Sequence, residues 1–325
     1  MMRLPWFEHR APRSVAEAAK ILAGEGPDAM LIAGGTDLLP NMKRRQMAPK
    51  VLVSLKRIPE MRVNGNSLGA GTTLTEIVNK KDLPRGLRQA AHQVATVHLR
   101  NMGTIGGNLC LDTRCNYYNQ SYEWRKAIDF CLKKDGDICW VATASKRCVA
   151  VSSTDCAPAL LAIGARVKLV SSQGEREVAL EDLYRNDGID YLARQPDEVL
   201  TEVKFDRDVQ STYWKLRRRG AFDFPVLGVA AALREGSARI ALGAVASRPF
   251  LVDKANEFLK GKKLTDEVIE EAGKIVASRA KPLDNTDLDL YWRKGVSAQF
   301  VGYALRELRG DDMSATRMRI ARQPL

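Results

Sequence analysis

All six cysteines of this 325-residue chain fall between Cys110 and Cys156. Four of them, Cys115, Cys131, Cys139 and Cys148, belong to one stretch, DTRCNYYNQSYEWRKAIDFCLKKDGDICWVATASKRC. Clustered thiols pair as disulfides, ligate metal, or pack as small buried groups. The start, MMRLPWFEHRAPRSVAEAAKIL, has no basic-then-apolar signal segment. A reducing, cytoplasmic setting is therefore expected, and disulfides are not. By ligand count four thiolates suit a zinc ion or an iron–sulfur cubane equally. Their separations of sixteen, eight and nine residues lack the C-x-x-C of zinc ribbons and ferredoxins, so spacing leaves the metal open. Cys110 and Cys156 lie in flanking motifs and read as buried thiols. His9, His92 and His98 are not grouped at ligand spacing, and no nucleophile–base arrangement is visible. No catalytic residue is assigned.

A second chemistry belongs to the backbone. LIAGGTD sets Gly34-Gly35 directly after an apolar run, and TIGGNL sets Gly106-Gly107 after a threonine. Glycine admits close approach of a ligand and positive φ, and exposed N–H groups at such turns cradle phosphate oxygens. Neither loop matches G-x-G-x-x-G or G-x-x-x-x-G-K-[ST], which argues against dinucleotide-binding Rossmann and P-loop readings.

The elements that must carry these groups are readable. SVAEAAKILAGEG has helical apolar spacing, with Ser14 and Glu17 in a capping-box pattern. AMLIA and KVLVSLKRI are strand-like, giving a β-α-β unit over residues 1–55. A second region, 56–208, opens on a turn at Asn64-Gly65 and a helix capped by Thr73 or Thr75. It continues through the helical GLRQAAHQVATVH, the glycine-rich loop RNMGTIGGNLC and the cysteine segment, and ends in a helix, a glycine turn and a β-hairpin. A third, 209–325, reads as paired strands followed by helices. No run of about 18 apolar residues spans a membrane. Net charge is +12, with 51 Lys and Arg against 39 Asp and Glu. These are dispersed apart from KLRRRG and the C-terminal tail, so the charge reads as a solvated surface and no nucleic-acid partner is expected.

IAGGTDLLPNMK, RNMGTIGGNL, STDCAPALLAIGA and YWKLRRRGAFDFPVLGVAAAL, in that order, resemble the FAD-binding subunit of the molybdenum hydroxylase family, which includes xanthine and carbon monoxide dehydrogenases. The resemblance covers essentially the whole chain. It implies an α+β protein: a vanillyl-oxidase-type FAD-binding fold of two α/β subdomains and a C-terminal α+β domain. It implies FAD, with both glycine loops on the pyrophosphate. Carried over by position, the cofactor residues are Leu31, Ile32, Ala33, Gly34, Gly35, Thr36 and Asp37 in the first loop. Thr104, Gly107 and Asn108 follow in the second, Thr154 and Asp155 in the third motif, then Leu200 near the flavin ring and Lys215 at the flavin.

The family passes from the second loop to the Thr-Asp motif in about ten residues. Here Asn108 and Thr154 are 46 apart, so an insertion at about 111–152 carries the cysteines. A loop that long inside a compact domain is functional or disordered. Its aromatic load (Tyr117, Tyr118, Tyr122, Trp124, Phe130, Trp140) argues against disorder. The sequence resembles the family branch that carries such an insertion, the flavin subunit of 4-hydroxybenzoyl-CoA reductase. That likeness implies a 4Fe–4S cluster on Cys115, Cys131, Cys139 and Cys148. It also implies a molybdenum-cofactor subunit and a 2Fe–2S subunit as partners, assembled as a dimer of heterotrimers. Electrons would pass from a reduced ferredoxin to the reductive dehydroxylation of 4-hydroxybenzoyl-CoA. Arg114, Arg125, Lys126, Lys133, Lys134, Lys146 and Arg147 are then expected to steer the acidic donor. Two rivals remain: an ordinary hydroxylase flavin subunit passing electrons outward to NAD⁺, and a zinc-stabilised binding module.

Overall fold

The computed structural model describes residues 3–62 and 67–320; the expected Asn64-Gly65 turn lies outside them. Three sheets organise the chain. Glu8–Arg10, Val51–Ser54 and Ala29–Ile32 form a parallel sheet in that spatial order, joined by the helix Val15–Glu25. The Ser14 hydroxyl accepts from the Glu17 N–H at 3.1 Å, while the Glu17 carboxylate turns to the Arg13 N–H at 2.7 Å, so only half of the expected capping box forms. The full box stands at Thr73 and Glu76, which bond each other's backbone.

The second sheet is antiparallel, in the order Ser67–Gly69, Val199–Lys204, Arg166–Ser171, Gly174–Ala179. GLRQAAHQVATVH is two helices, Arg85–His92 and Val97–Met102, broken where Ala95 takes a φ of 44°. RNMGTIGGNLC is not an open loop. Thr104 caps a short helix, Ile105–Leu109, that contains both glycines. Tertiary packing overrides glycine's poor helix propensity here: a Cβ on Gly106 would lie 2.8 Å from Ala70 Cβ.

The third sheet runs Phe250–Leu251, Ser237–Gly243, Leu227–Arg234, Ser211–Leu216, all antiparallel. The apolar run LGVAAALR is explained by its two buried faces. Side chains alternate across a strand. Trp214, Val229, Ala231, Ile240 and Leu242 pack into a core with the helices Asp253–Leu259, Asp266–Arg279 and Leu290–Arg309. Their neighbours Tyr213, Ala230, Ala232 and Ala241 join the core of the first two sheets. The pleat therefore puts Lys215 on the same side as Tyr213, facing the N-terminal units. There its ammonium, with no exposed side-chain surface, donates to Asp155 Oδ2 at 3.0 Å, Gln93 O at 2.9 Å and Asp223 O at 2.8 Å. The Tyr213 hydroxyl donates to Asp155 Oδ1 at 2.8 Å. Of the dense KLRRRG run, then, the lysine is core, while Arg218 and Arg219 pair with Asp287 and Asp223 at the surface. Among the described residues no helix is long and apolar enough to cross a membrane.

Removing one member of a buried ion pair strands the other, at about 3–5 kcal/mol. Lys215→Met is expected to lose that much in denaturant unfolding. Combined with Asp155→Leu it should lose clearly less than the two single losses added; additive losses would show that the pair does not join the two cores.

Candidate functional site

The residues singled out in the sequence form one connected structure. The first loop meets the second. Gly34 lies so close to the turn at Met102 that a Cβ there would be 2.0 Å from Met102 O. A Cβ on Gly103 would lie 3.6 Å from Thr36 Oγ1, and one on Gly107 3.9 Å from Ala33 Cβ. Gly35 holds a φ of 69°, the positive value expected of a loop glycine; the second pair works by close approach alone. Leu31 packs on the core at the end of its strand, and Ile32 O accepts from Leu55 N–H at 3.0 Å.

The second loop in turn holds the third motif. Thr104 Oγ1 accepts from Gly107 N–H at 3.1 Å. Asn108 Oδ1 accepts from Thr154 Oγ1 at 2.7 Å and from the Cys156 N–H at 3.1 Å. Leu200 is core, 4 % exposed. Its neighbour Thr201 accepts at its carbonyl from Ala70 N–H (2.8 Å), and Ala70 O accepts from Gly106 N–H (2.9 Å). Thr154, Asp155 and Lys215 are buried and bonded within the protein, so they hold the loops in place. Burial pushes the Asp155 carboxyl up and the Lys215 ammonium down, and the charge of each opposes the shift of the other.

The insertion hangs on this frame by a neck. Arg114 and Val151 exchange both backbone hydrogen bonds, at 2.8 and 2.7 Å. The buried Arg114 side chain pairs with Asp37, donates to Asn41 Oδ1 at 3.1 Å and lies 4.6 Å over Phe224. Burial pulls its guanidinium down to about 10. The residue before Cys115 is thus tied to the last residue of the first glycine loop.

Beyond the neck, Cys115, Cys131, Cys139 and Cys148 line one cavity with Tyr117, Tyr118, Trp140 and Lys133. With its mouth counted, the space comes to about 260 Å³. One backbone amide serves a sulfur: Ala150 N–H donates to Cys148 Sγ at 3.4 Å. Burial pushes the Cys115 thiol up to about 12 and Cys148 to about 11, and the neighbouring thiols add to it. Such thiols are poor nucleophiles. Asp129 and Phe130, just before Cys131, both hold positive φ, 60° and 57°, a strain that persists only where surroundings enforce it. Among the described residues no group of three or more His, Cys, Asp or Glu side chains is placed so that it could hold a metal ion. Cys156 is buried outside this cavity and Cys110 is half-buried.

Two parts of the site were not visible in the sequence. Gly188 packs against the cavity from another loop, where a Cβ would lie 2.6 Å from Cys148 Sγ; NDGID signals a turn but not its neighbour. Asn285 of the C-terminal region donates to Val149 O at 2.6 Å and accepts from Asn116 N–H at 2.9 Å. The expected steering face needs correction. Arg114 is buried, Arg125 is 1 % exposed with a bond to Arg44 O, and Lys133 is pinned inside. Only Lys126, Lys146 and Arg147 are exposed, with Lys134 partly so.

The FAD binding domain in molybdopterin dehydrogenase matches residues 6–205, and the CO dehydrogenase flavoprotein C-terminal domain matches 211–308. The carbon monoxide dehydrogenase medium chain of Hydrogenophaga pseudoflava is 28 % identical over 93 % of this chain and 96 % of its own. The nicotinate dehydrogenase FAD-subunit of Eubacterium barkeri is 30 % identical over 81 % and 83 %. Among solved structures, a Hydrogenophaga pseudoflava carbon monoxide dehydrogenase lacking the Mo-pyranopterin moiety superposes with a TM-score of 0.75 at 27 % identity, covering 94 % of this chain and 97 % of that one. The chain therefore belongs to the FAD-binding subunits of the molybdenum hydroxylases, and is an oxidoreductase subunit.

Proposed function

We propose that this chain is an electron-transfer subunit holding both FAD and a 4Fe–4S cluster, within a molybdenum enzyme of the kind that removes the phenolic hydroxyl of 4-hydroxybenzoyl-CoA. The observation that supports the cluster is that four thiols line one small cavity, with the Ala150 amide donating to Cys148 Sγ. Four thiols suit zinc or a cubane by count, and the choice of the cluster rests on the sequence resemblance.

The residues proposed for FAD are those of the first loop, Leu31 to Asp37, with Thr104, Gly107 and Asn108. Thr154, Asp155, Leu200 and Lys215 act behind them as supports. When bound, the two groups supply one- and two-electron exchange that no side chain offers. The protein's share is to fix them, keep water from the thiols and set the surrounding charge. For this work the chain divides into residues 1–55, 56–208 and 209–325. The partners proposed are a molybdenum-cofactor subunit, a 2Fe–2S subunit and a ferredoxin-type donor. The substrate and the donor rest on the sequence resemblance. The relatives named above are called after carbon monoxide and nicotinate, so family membership alone leaves the substrate open.

Two sets of variants test this reading. Serine at Cys115, Cys131, Cys139 or Cys148 is expected to cost iron and sulfide, while serine at Cys110 or Cys156 keeps both; the opposite pattern would mean the wrong four are assigned. Gly188→Ala should lower iron with flavin retained. Gly34→Val should lower flavin occupancy several-fold, because its side chain meets the Met102 carbonyl. Full flavin in that variant would take the paired loops out of the cofactor site.

A further inference from the structure

We infer that Lys133 is the fixed cation that sets the reduction potential of the four-thiol centre, and that Asp112, Thr113 and Gly188 hold it in place. This rests on the reading of that centre as a redox cluster.

Lys133 lies between Cys131 and Cys139 in the chain. A lysine in such a loop is ordinarily a solvated side chain. Here its side chain is 7 % exposed, and the residue forms part of the cavity wall with the four thiols. Its Nζ donates to Asp112 Oδ1 at 2.8 Å, Thr113 Oγ1 at 2.9 Å and Gly188 O at 2.6 Å. An ammonium has three N–H groups, so all are used and the head cannot swing. The rings of Tyr118 and Tyr191 lie 4.8 and 5.6 Å from it. Asp112, its counter-ion, does not line the cavity.

The arrangement is more than a staple. A staple needs hydrogen bonds, which a neutral side chain supplies without the cost of burying a charge. A cation held still beside a group that gains an electron favours the reduced, more negative state, and its effect is large where water is excluded. Thr113 and Gly188 fix the position of that charge, and Asp112 offsets part of it from behind. A role confined to packing predicts that disrupting either member of the pair perturbs the centre in the same sense. A role through charge predicts opposite signs.

The test uses full-length protein isolated anaerobically with its flavin and iron, and follows the cluster by EPR during a redox titration. Lys133→Gln keeps donors but removes the charge. It should lower the reduced-to-oxidised ratio at a fixed potential about tenfold, a shift of about −59 mV for a one-electron couple. Asp112→Asn keeps an acceptor oxygen and should raise the ratio. Lys133→Arg should stay within about threefold of the parent. Iron-loaded variants with an unmoved potential, or both neutral variants shifting the same way, overturn the inference while the cluster stands. If Lys133→Gln retains no iron, Asp112→Asn decides alone: a raised ratio supports the charge role and an unmoved or lowered one overturns it. Parent protein without iron would sink the cluster reading itself.

Discussion

A lysine ammonium and a carboxylate with almost no access to water join the two halves of this molecule. Lys215 sits on the C-terminal sheet, and Asp155 opens the helix Cys156–Ala162 of the flavin-binding half. Burying such a pair is costly unless every polar atom is met. Here the ammonium has two carbonyls besides the carboxylate, and the carboxylate has a tyrosine hydroxyl as well. From that point the order runs outward. Asp155 follows Thr154, Thr154 fixes Asn108, Asn108 belongs to the second glycine segment, and that segment packs on the first. The two glycine loops are therefore linked to the C-terminal domain through Asn108, Thr154, Asp155 and Lys215.

The cysteine insertion obeys a different constraint. Its apolar cluster is small, Cys115, Tyr118, Cys131, Cys148 and Ala150 with two partly buried neighbours, too little to fold by itself. It is held from outside at Asp37 and Asn41, at Gly188, and at Asn285. Arg114 stands where two of these meet, paired with the first glycine loop and adjacent to the first cavity cysteine. Geometry at the first glycine loop and at the four thiols is consequently shared.

Much of this was legible in the chain. Short apolar runs and helical apolar spacing located the Ala29–Ile32 and Val51–Ser54 strands, the Cys156–Ala162 helix and the hairpin after it. The motifs pointed to residues that do assemble. What could not be read depended on distant partners. Gly106 and Gly107 read as loop because propensity is local, whereas Thr104 and Ala70 make that segment helical. Lys215 read as a ligand or surface charge, and only the pleat of its strand shows that it faces Asp155. Lys133, Arg114 and Arg125 read as solvent-facing because sequence records charge but not counter-ions. Gly188 lies far along the chain from every cysteine, and no local pattern signals that its missing side chain makes room for sulfur.

The central claim is that one polypeptide fixes a flavin and a tetrathiolate iron centre together. Iron, acid-labile sulfide and flavin counted in the same anaerobically purified sample test it most directly. The account predicts about four iron and four sulfide for each flavin. Flavin at full occupancy with zinc, or with no metal, would contradict it.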